Sequence, residues 1–254
     1  MAKQWASITI PPLTPSHPII KTESDFLEHT KISELAELIK DKRVAIVCPS
    51  PNLVGSNDGE LIDSYDVVIR VNQKFEMSNE LKKDYGSRGD ILIGSFNINN
   101  VAECMRNLDY IKTYKRLICV MPSSEKIGGH PTINFFKELT KMGIKNTRLD
   151  DRYIYKEFYN VGTVPNSGLM AILMLMNYDF KELYITGLSF YNMGKFGDVY
   201  NDEYKKSVGR VADQHSHDHK IHQQPPQIKY LQELHKNNPD LIKLDKYLTE
   251  NLHK

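Results

Sequence analysis

Between residues 24 and 244, short apolar runs alternate with longer segments whose apolar positions recur at helical spacing. Ser24 can cap a helix, Asp25 and Glu28 suit its first turn, and Phe26, Leu27, Ile32, Leu35, Leu38 and Ile39 form its buried stripe. That helix should stop after Lys40, before Asp41-Lys42-Arg43. Residues 44–48 are five apolar residues in succession that run into Pro49-Ser50-Pro51-Asn52, the pattern of a strand buried on both faces and ending in a turn. The same reasoning predicts strands at 67–71, 91–93, 116–121 and 182–186, and helices within 76–84 and at 132–142, 167–178 and 226–236. A last apolar stretch lies at 241–244. Strands of about five residues alternating with helices imply an α/β domain, with a mostly parallel sheet and helices on both faces.

Composition narrows the class. With 40% hydrophobic and 26% charged residues, the chain can bury a sizeable core, and residues 24–254 read as a single domain. Residues 1–23 hold four of the twelve prolines and read as an extended lead-in. Thirty-three basic against thirty-two acidic residues leave no excess for a nucleic-acid-binding face. No apolar run approaches the roughly 18 residues of a membrane span, and prolines interrupt the N-terminus before a signal-peptide core could form. Three cysteines without paired spacing, Cys48, Cys104 and Cys119, fit free thiols, so the expected location is cytoplasmic.

In an open parallel sheet, ligands bind beyond the carboxyl ends of the strands. Three predicted loops lie there: Ser50, Pro51 and Asn52 after the first strand, Asn72 after the second, and Gly187, Leu188 and Ser189 after the strand at 182–186. The first loop has neither the G-x-G-x-x-G of a dinucleotide site nor the pattern of a P-loop, which excludes ordinary nicotinamide enzymes and NTPases. It is either a plain turn or a phosphate site built from backbone amides and Asn52. Arg70 is expected to pair with Asp63 or Asp66, while Asn72 can donate and accept at once, as a ribose or base edge requires. Asn166, Ser167 and Gly168 open the apolar helix, where a cap and unpaired amides make an anion site or simply a helix start.

Four of the nine histidines, His215, His217, His219 and His222, fall within eight positions. Alternate histidines suggest a metal site, and a single one suggests an acid or base. They end a polar stretch at 190–222 without clear periodicity, which reads as a lid or acceptor-binding segment. Its aromatic residues, including Phe190 and Tyr200, either stack on sugar faces or pack the lid.

Taken in order, these segments resemble one family. Residues 44–53, the string Ile62-Asp-Ser-Tyr-Asp-Val-Val-Ile-Arg-Val-Asn72 and Asp84-Tyr-Gly-Ser-Arg88 are similar to the large sialylmotif of the family 29 sialyltransferases. Pro165-Asn-Ser-Gly168 with its apolar helix, followed by Leu183-Tyr-Ile-Thr-Gly-Leu188, resembles the small sialylmotif. The likeness extends from Val44 to Leu234, and Gly187-Leu-Ser-Phe-Tyr191 also resembles the bacterial family 42 sialyltransferases.

The resemblance implies a single Rossmann-like, GT-A-type domain that carries out metal-independent, inverting glycosyl transfer from a CMP-sugar. Sialic acid and Kdo both meet the implied chemistry of the transferred keto-acid sugar, and the acceptor would be a glycan or glycolipid. No cofactor is implied beyond the donor. By the same likeness Asn72 contacts the nucleotide, while Ser50–Asn52 and Asn166–Gly168 hold ribose, phosphate or carboxylate. The family's last motif, His then Glu five residues later before a helix, fits His222 and Gln227, which makes His222 the expected general base, with His219 and His217 as alternative registers. This chain departs from the family in several ways. Cys48-Pro49 replaces Gly-Asn, Gln227 replaces Glu, the His expected before Tyr200 is absent, and Val44 and about Phe180 replace the paired cysteines of animal members. Two other readings stand beside the transferase: a metal-dependent hydrolase built on His215, His217 and His219, and an inactive CMP-binding module.

Overall fold

The apolar runs pair as neighbouring strands of one sheet in the computed structural model, which describes residues 32–96, 98–122, 129–190 and 222–253. The strands are β1 (Arg43–Val47), β2 (Val67–Val71), β3 (Ile91–Gly94), β4 (Arg116–Cys119), β5 (Asn146–Arg148), β6 (Glu182–Thr186) and β7 (Ile242–Leu244). Their order is β5-β4-β3-β2-β1-β6-β7, and every pairing is parallel. The helices are α1 (Ser33–Ile39), α2 (Gly59–Asp63), α3 (Asn79–Tyr85), α4 (Ile98–Arg106), α5 (Leu108–Ile111), α6 (Gly129–Lys141), α7 (Asp151–Val161), α8 (Ser167–Leu175), α9 (Gln224–Asn237) and α10 (Lys246–Asn251). Among the described residues no helix is long and apolar enough to cross a membrane.

Alternate side chains of each strand point to opposite faces, so both faces must be covered. Val44, Ile46, Ile69, Ile91 and Ile185 share one core with α1, α7, α8, α9 and α10. Ala45, Val47 and Val68 face α2 and α3, and Leu92 and Leu117 face α4, α5 and α6. Helix α8 is apolar all round because it is enclosed all round: Leu169 to Leu175 are each at most 5% exposed. Helix α1 begins only at Ser33, because Ile32 is extended, so the expected 24–40 helix does not run through Ile32; residues 24–31 and the lead-in at 1–23 lie outside the described residues.

The string from Ile62 to Arg88 proves to be a structural knot. The Asp63 carboxylate accepts the Ser87 amide at 2.8 Å, the Ser87 hydroxyl at 2.7 Å and the Arg88 amide at 2.9 Å. Arg88 returns Nη1 bonds of 2.7 Å to the carbonyls of Asp63 and Tyr65. Arg70 does not form the expected carboxylate pair: its Nη1 and Nε donate to the carbonyls of Tyr85 and Arg88 at 2.5 and 2.6 Å. At 1% exposure the guanidinium is a buried cross-strut, and Asp66 instead accepts the Arg43 amide. Asp84, in the same knot, accepts the amides of Gly55 and Asn57 and so pins the loop after β1.

Burial works against the Asp63 charge, but the Arg88 and Ser87 amides, the Ser87 hydroxyl and the Arg70 guanidinium outweigh it and hold the carboxyl below its usual range. Its contribution to stability is therefore complete above the ordinary carboxylate value of about 3.9 and is lost as pH falls through its own lower value. Denaturant unfolding between pH 7 and pH 3 should show Asp63→Asn less stable at neutrality and less acid-sensitive than wild type. An unchanged acid slope would count against the knot.

Candidate active site

From β1 the chain steps outward through β2, β3, β4 and β5, then crosses to β6 and β7 on the other side, so the order reverses between β1 and β6. That is the switch point at which an α/β sheet opens a crevice. Here the two loops remain joined beyond the sheet: the Cys48 amide donates to Thr186 O at 2.9 Å and the Ser50 amide to Gly187 O at 3.0 Å. Gly187 has φ +68°, and a Cβ there would lie 2.1 Å from the Cys48 carbonyl oxygen. Only glycine permits this contact. Ser50 Oγ donates to Ser189 Oγ at 2.6 Å, and the buried Tyr85 hydroxyl donates to Ser50 O at 2.5 Å. The expected turn at Pro51 is a 3-10 helix, Pro51–Leu53, anchored by the buried Leu53.

Asp245, immediately after β7, is 3% exposed. One carboxylate oxygen caps α10 by accepting the Leu248 amide at 2.8 Å. The other accepts the Gly187 amide at 2.9 Å, Thr186 Oγ1 at 3.1 Å and Asn52 Nδ2 at 3.2 Å. Burial raises this carboxyl above its usual range, against the opposing pull of those bonds.

Asn72 sits at the end of β2 with φ +57°, its amide donating to Ile93 O at 2.8 Å. Lys74 Nζ holds its carbonyl at 3.3 Å. Gly94, on β3, makes room for its side chain, since a Cβ there would stand 2.6 Å from Asn72 Oδ1. The Oδ1 atoms of both Asn72 and Asn52 are buried and have no hydrogen-bond partner among the described residues. Two unpaired amide oxygens at one edge of a sheet favour a ligand that brings hydrogen-bond donors.

Asn166 caps α8 by accepting the Leu169 amide at 2.9 Å, as the sequence suggested. Gly168 brings the helix start against the β1 and β6 loops: a Cβ would meet Cys48 Sγ at 2.9 Å and Leu188 Cδ1 at 3.2 Å. Gln227, wholly buried on α9, accepts the Asn166 amide at 2.9 Å and donates to Gln223 O at 3.1 Å. His222, two residues before α9, has Nδ1 2.8 Å from Val164 O. A carbonyl only accepts, so Nδ1 carries a proton, and in the neutral form of the ring Nε2 is the basic nitrogen.

The fold thus gathers Ser50, Asn52, Gly187, Ser189, Asn166, Ser167, Gly168 and His222, with Asn72 one strand away at the same sheet edge. A family model for glycosyltransferase family 29 (sialyltransferase) matches residues 19–238. The chain belongs to this family. It is a CMP-sugar-dependent glycosyltransferase. Structures of the sialyltransferase CstII share its fold. The Campylobacter jejuni enzyme in complex with the substrate analogue CMP-3FNeuAc superposes with a TM-score of 0.56 at 16% identity, covering 82% of this chain and 84% of that one. A second, in complex with cytidine-5′-monophosphate, gives 0.53 at 14% identity over 81% and 80%. A third, with a trisaccharide acceptor and CMP, gives 0.50 at 13% identity over 80% of each chain. No curated protein matches the chain.

Within the sialyltransferase, Leu188 and Phe190 are 5% and 4% exposed and belong to the main core, so they back the site. Tyr200, His215, His217, His219 and most of the 190–222 segment lie outside the described residues. Sequence reasoning missed Asp245, Tyr85 and the inward role of Gln227. Asp245 did leave a signal, an N-cap residue directly after the apolar run at 241–244.

Gly187→Ala should lower unfolding stability by about 2–4 kcal/mol, combining backbone strain with the clash on Cys48. Gly55→Ala is the control, because Gly55 has φ +82° but nothing lies within 4 Å of the point where an alanine methyl would stand. It should cost about 1 kcal/mol. Equal costs in urea melts would contradict the contact assigned to Gly187.

Proposed function

We propose that this sialyltransferase moves sialic acid from CMP-sialic acid to a hydroxyl of a glycan or glycolipid, inverting the anomeric centre, with His222 as general base. The observation that carries this reading is the His222 imidazole held through Nδ1 on Val164 O, three residues before α8 begins. Family membership and the CMP-containing CstII structures support the donor class, and the CstII structure with a trisaccharide supports a glycan acceptor.

In the proposed step an acceptor hydroxyl attacks the anomeric carbon, its proton passes to His222 Nε2, and the bond from that carbon to the phosphate oxygen breaks to release CMP. The Leu169 and Met170 amides are satisfied by Asn166, while those of Ser167 and Gly168 have no partner among the described residues. They and the dipole of α8 suit the phosphate or the sugar carboxylate. Asn72 and the Ser50–Asn52 loop would hold the nucleotide. No metal or further cofactor enters this scheme. Residues 190–222 are assigned to the acceptor on sequence alone. The free, buried Cys48, Cys104 and Cys119 support a reducing compartment, in keeping with a cytoplasmic location.

CMP-Kdo has the same carboxylate and phosphate linkage, so donor competition is part of the test; membership of a sialyltransferase family favours CMP-sialic acid. With that donor, His222→Ala should lower kcat by about 10² to 10⁴ and leave CMP affinity unchanged. Asn72→Ala should do the converse, weakening CMP by about 1–3 kcal/mol if its amide meets the nucleotide. Full turnover by His222→Ala would remove it as the base, and turnover with CMP-Kdo alone would reassign the sugar.

A further inference from the structure

We propose that Asp245 is a positioning residue of the donor site and acts through Asn52, whose amide oxygen it turns toward a hydrogen-bond donor on the nucleoside half of the CMP-sugar. The inference rests on the function proposed above.

A helix cap needs a single acceptor, and Asp245 Oδ1 supplies it to the Leu248 amide. Its second oxygen is surplus to capping, yet three donors from two other elements converge on it: Gly187 N, Thr186 Oγ1 and Asn52 Nδ2. The carboxylate therefore links the β1 loop, the β6 loop and the end of β7 at the switch point. Asp245 Oδ2 already accepts the Gly187 amide, and an acceptor there is met by the amide nitrogen of Asn52, which sets the orientation of that side chain. Nδ2 faces Asp245, and Oδ1 faces away, where it is buried and has no partner among the described residues.

The chemistry of that oxygen restricts what it can meet. Phosphate oxygens and the sugar carboxylate are acceptors and cannot satisfy it. A ribose hydroxyl or the exocyclic amine of the base can. This reverses the expectation that Asn52 faces phosphate, and leaves the anionic groups to the start of α8.

The test is a double-mutant cycle read by calorimetric titration with CMP, with melting temperatures measured alongside. Asp245→Ser keeps a capping acceptor for α10 but removes the oxygen that gathers Asn52. Asn52→Ala leaves the other three Asp245 bonds in place. Each single variant should weaken CMP roughly tenfold, and Asp245→Ser should cost less than about threefold when Asn52 is already alanine, the non-additivity of residues acting as one unit. The same factor in both backgrounds, or unchanged affinity in Asn52→Ala, would overturn the proposal. If Asp245→Ser does not fold, Asn52→Asp reports the contact from the other side. It keeps an acceptor oxygen but sets two carboxylates together, so cytidine, which has no phosphate to repel, should bind several-fold more weakly; unchanged cytidine affinity would overturn the proposal. Wild-type protein that does not bind CMP at all would overturn the proposed function as well, which separates the two failures.

Discussion

The main chain of two loops meets edge to edge beyond the sheet, where the Ser50 and Cys48 amides donate to the carbonyls of Gly187 and Thr186. This contact carries the β1–β6 ladder past the last strand residues, and the left-handed Gly187 makes room for it. The Ser50–Asn52 loop, the β6 loop and the start of α8 are all referenced to that join. Ser189 meets Ser50 across it, Asp245 bonds to Gly187 beneath it, and Gly168 lets α8 approach Cys48 and Leu188 beside it. Tyr85 reaches the same point from the opposite core and ties it to the Asp63 and Arg70 knot. A sheet reversal alone would leave an open crevice; these bonds give it fixed walls.

Legibility in the sequence followed burial. The strands at 67–71 and 182–186 were readable to the residue because they lie inside the sheet and are buried along almost their whole length. Strand β5, Asn146–Arg148, pairs only with β4, is half-exposed along its length and has no apolar residue, so periodicity had nothing to detect. Helix α7 carried its stripe at Tyr153, Ile154, Glu157, Phe158 and Val161 between the Asp150 cap and left-handed Gly162, but a buried Glu and interspersed tyrosines blurred it. Caps were readable where the bonding is local: Asn166 and Leu169 are three residues apart. Asp245 and Asn52 are separated by 193 positions, and no local pattern encodes that meeting.

The motif string was informative in a different way from the one expected. Arg70 was the expected partner of Asp63 or Asp66, yet it spends its donors on carbonyls and Asp63 takes amides, because these groups close turns around β2. Asn72, which ends the string, is held in its left-handed position by Ile93 O and Lys74 Nζ. The departures from the family also acquire reasons. A buried Gln227 offers both an acceptor and a donor, joining Asn166 to Gln223 without burying a charge. Cys48 lies against Gly168, and Asn52, three residues beyond Pro49 in the altered loop, supplies an unpaired amide oxygen.

The central claim is that the β1–β6 switch point is the nucleotide site of a transferase. A crystal structure with CMP tests it most directly. The account predicts the nucleoside within hydrogen-bonding reach of Asn52 and Asn72, and the phosphate at the Ser167 and Gly168 amides with the His222 ring nearby. CMP bound elsewhere on the molecule, with those groups unoccupied, would contradict it.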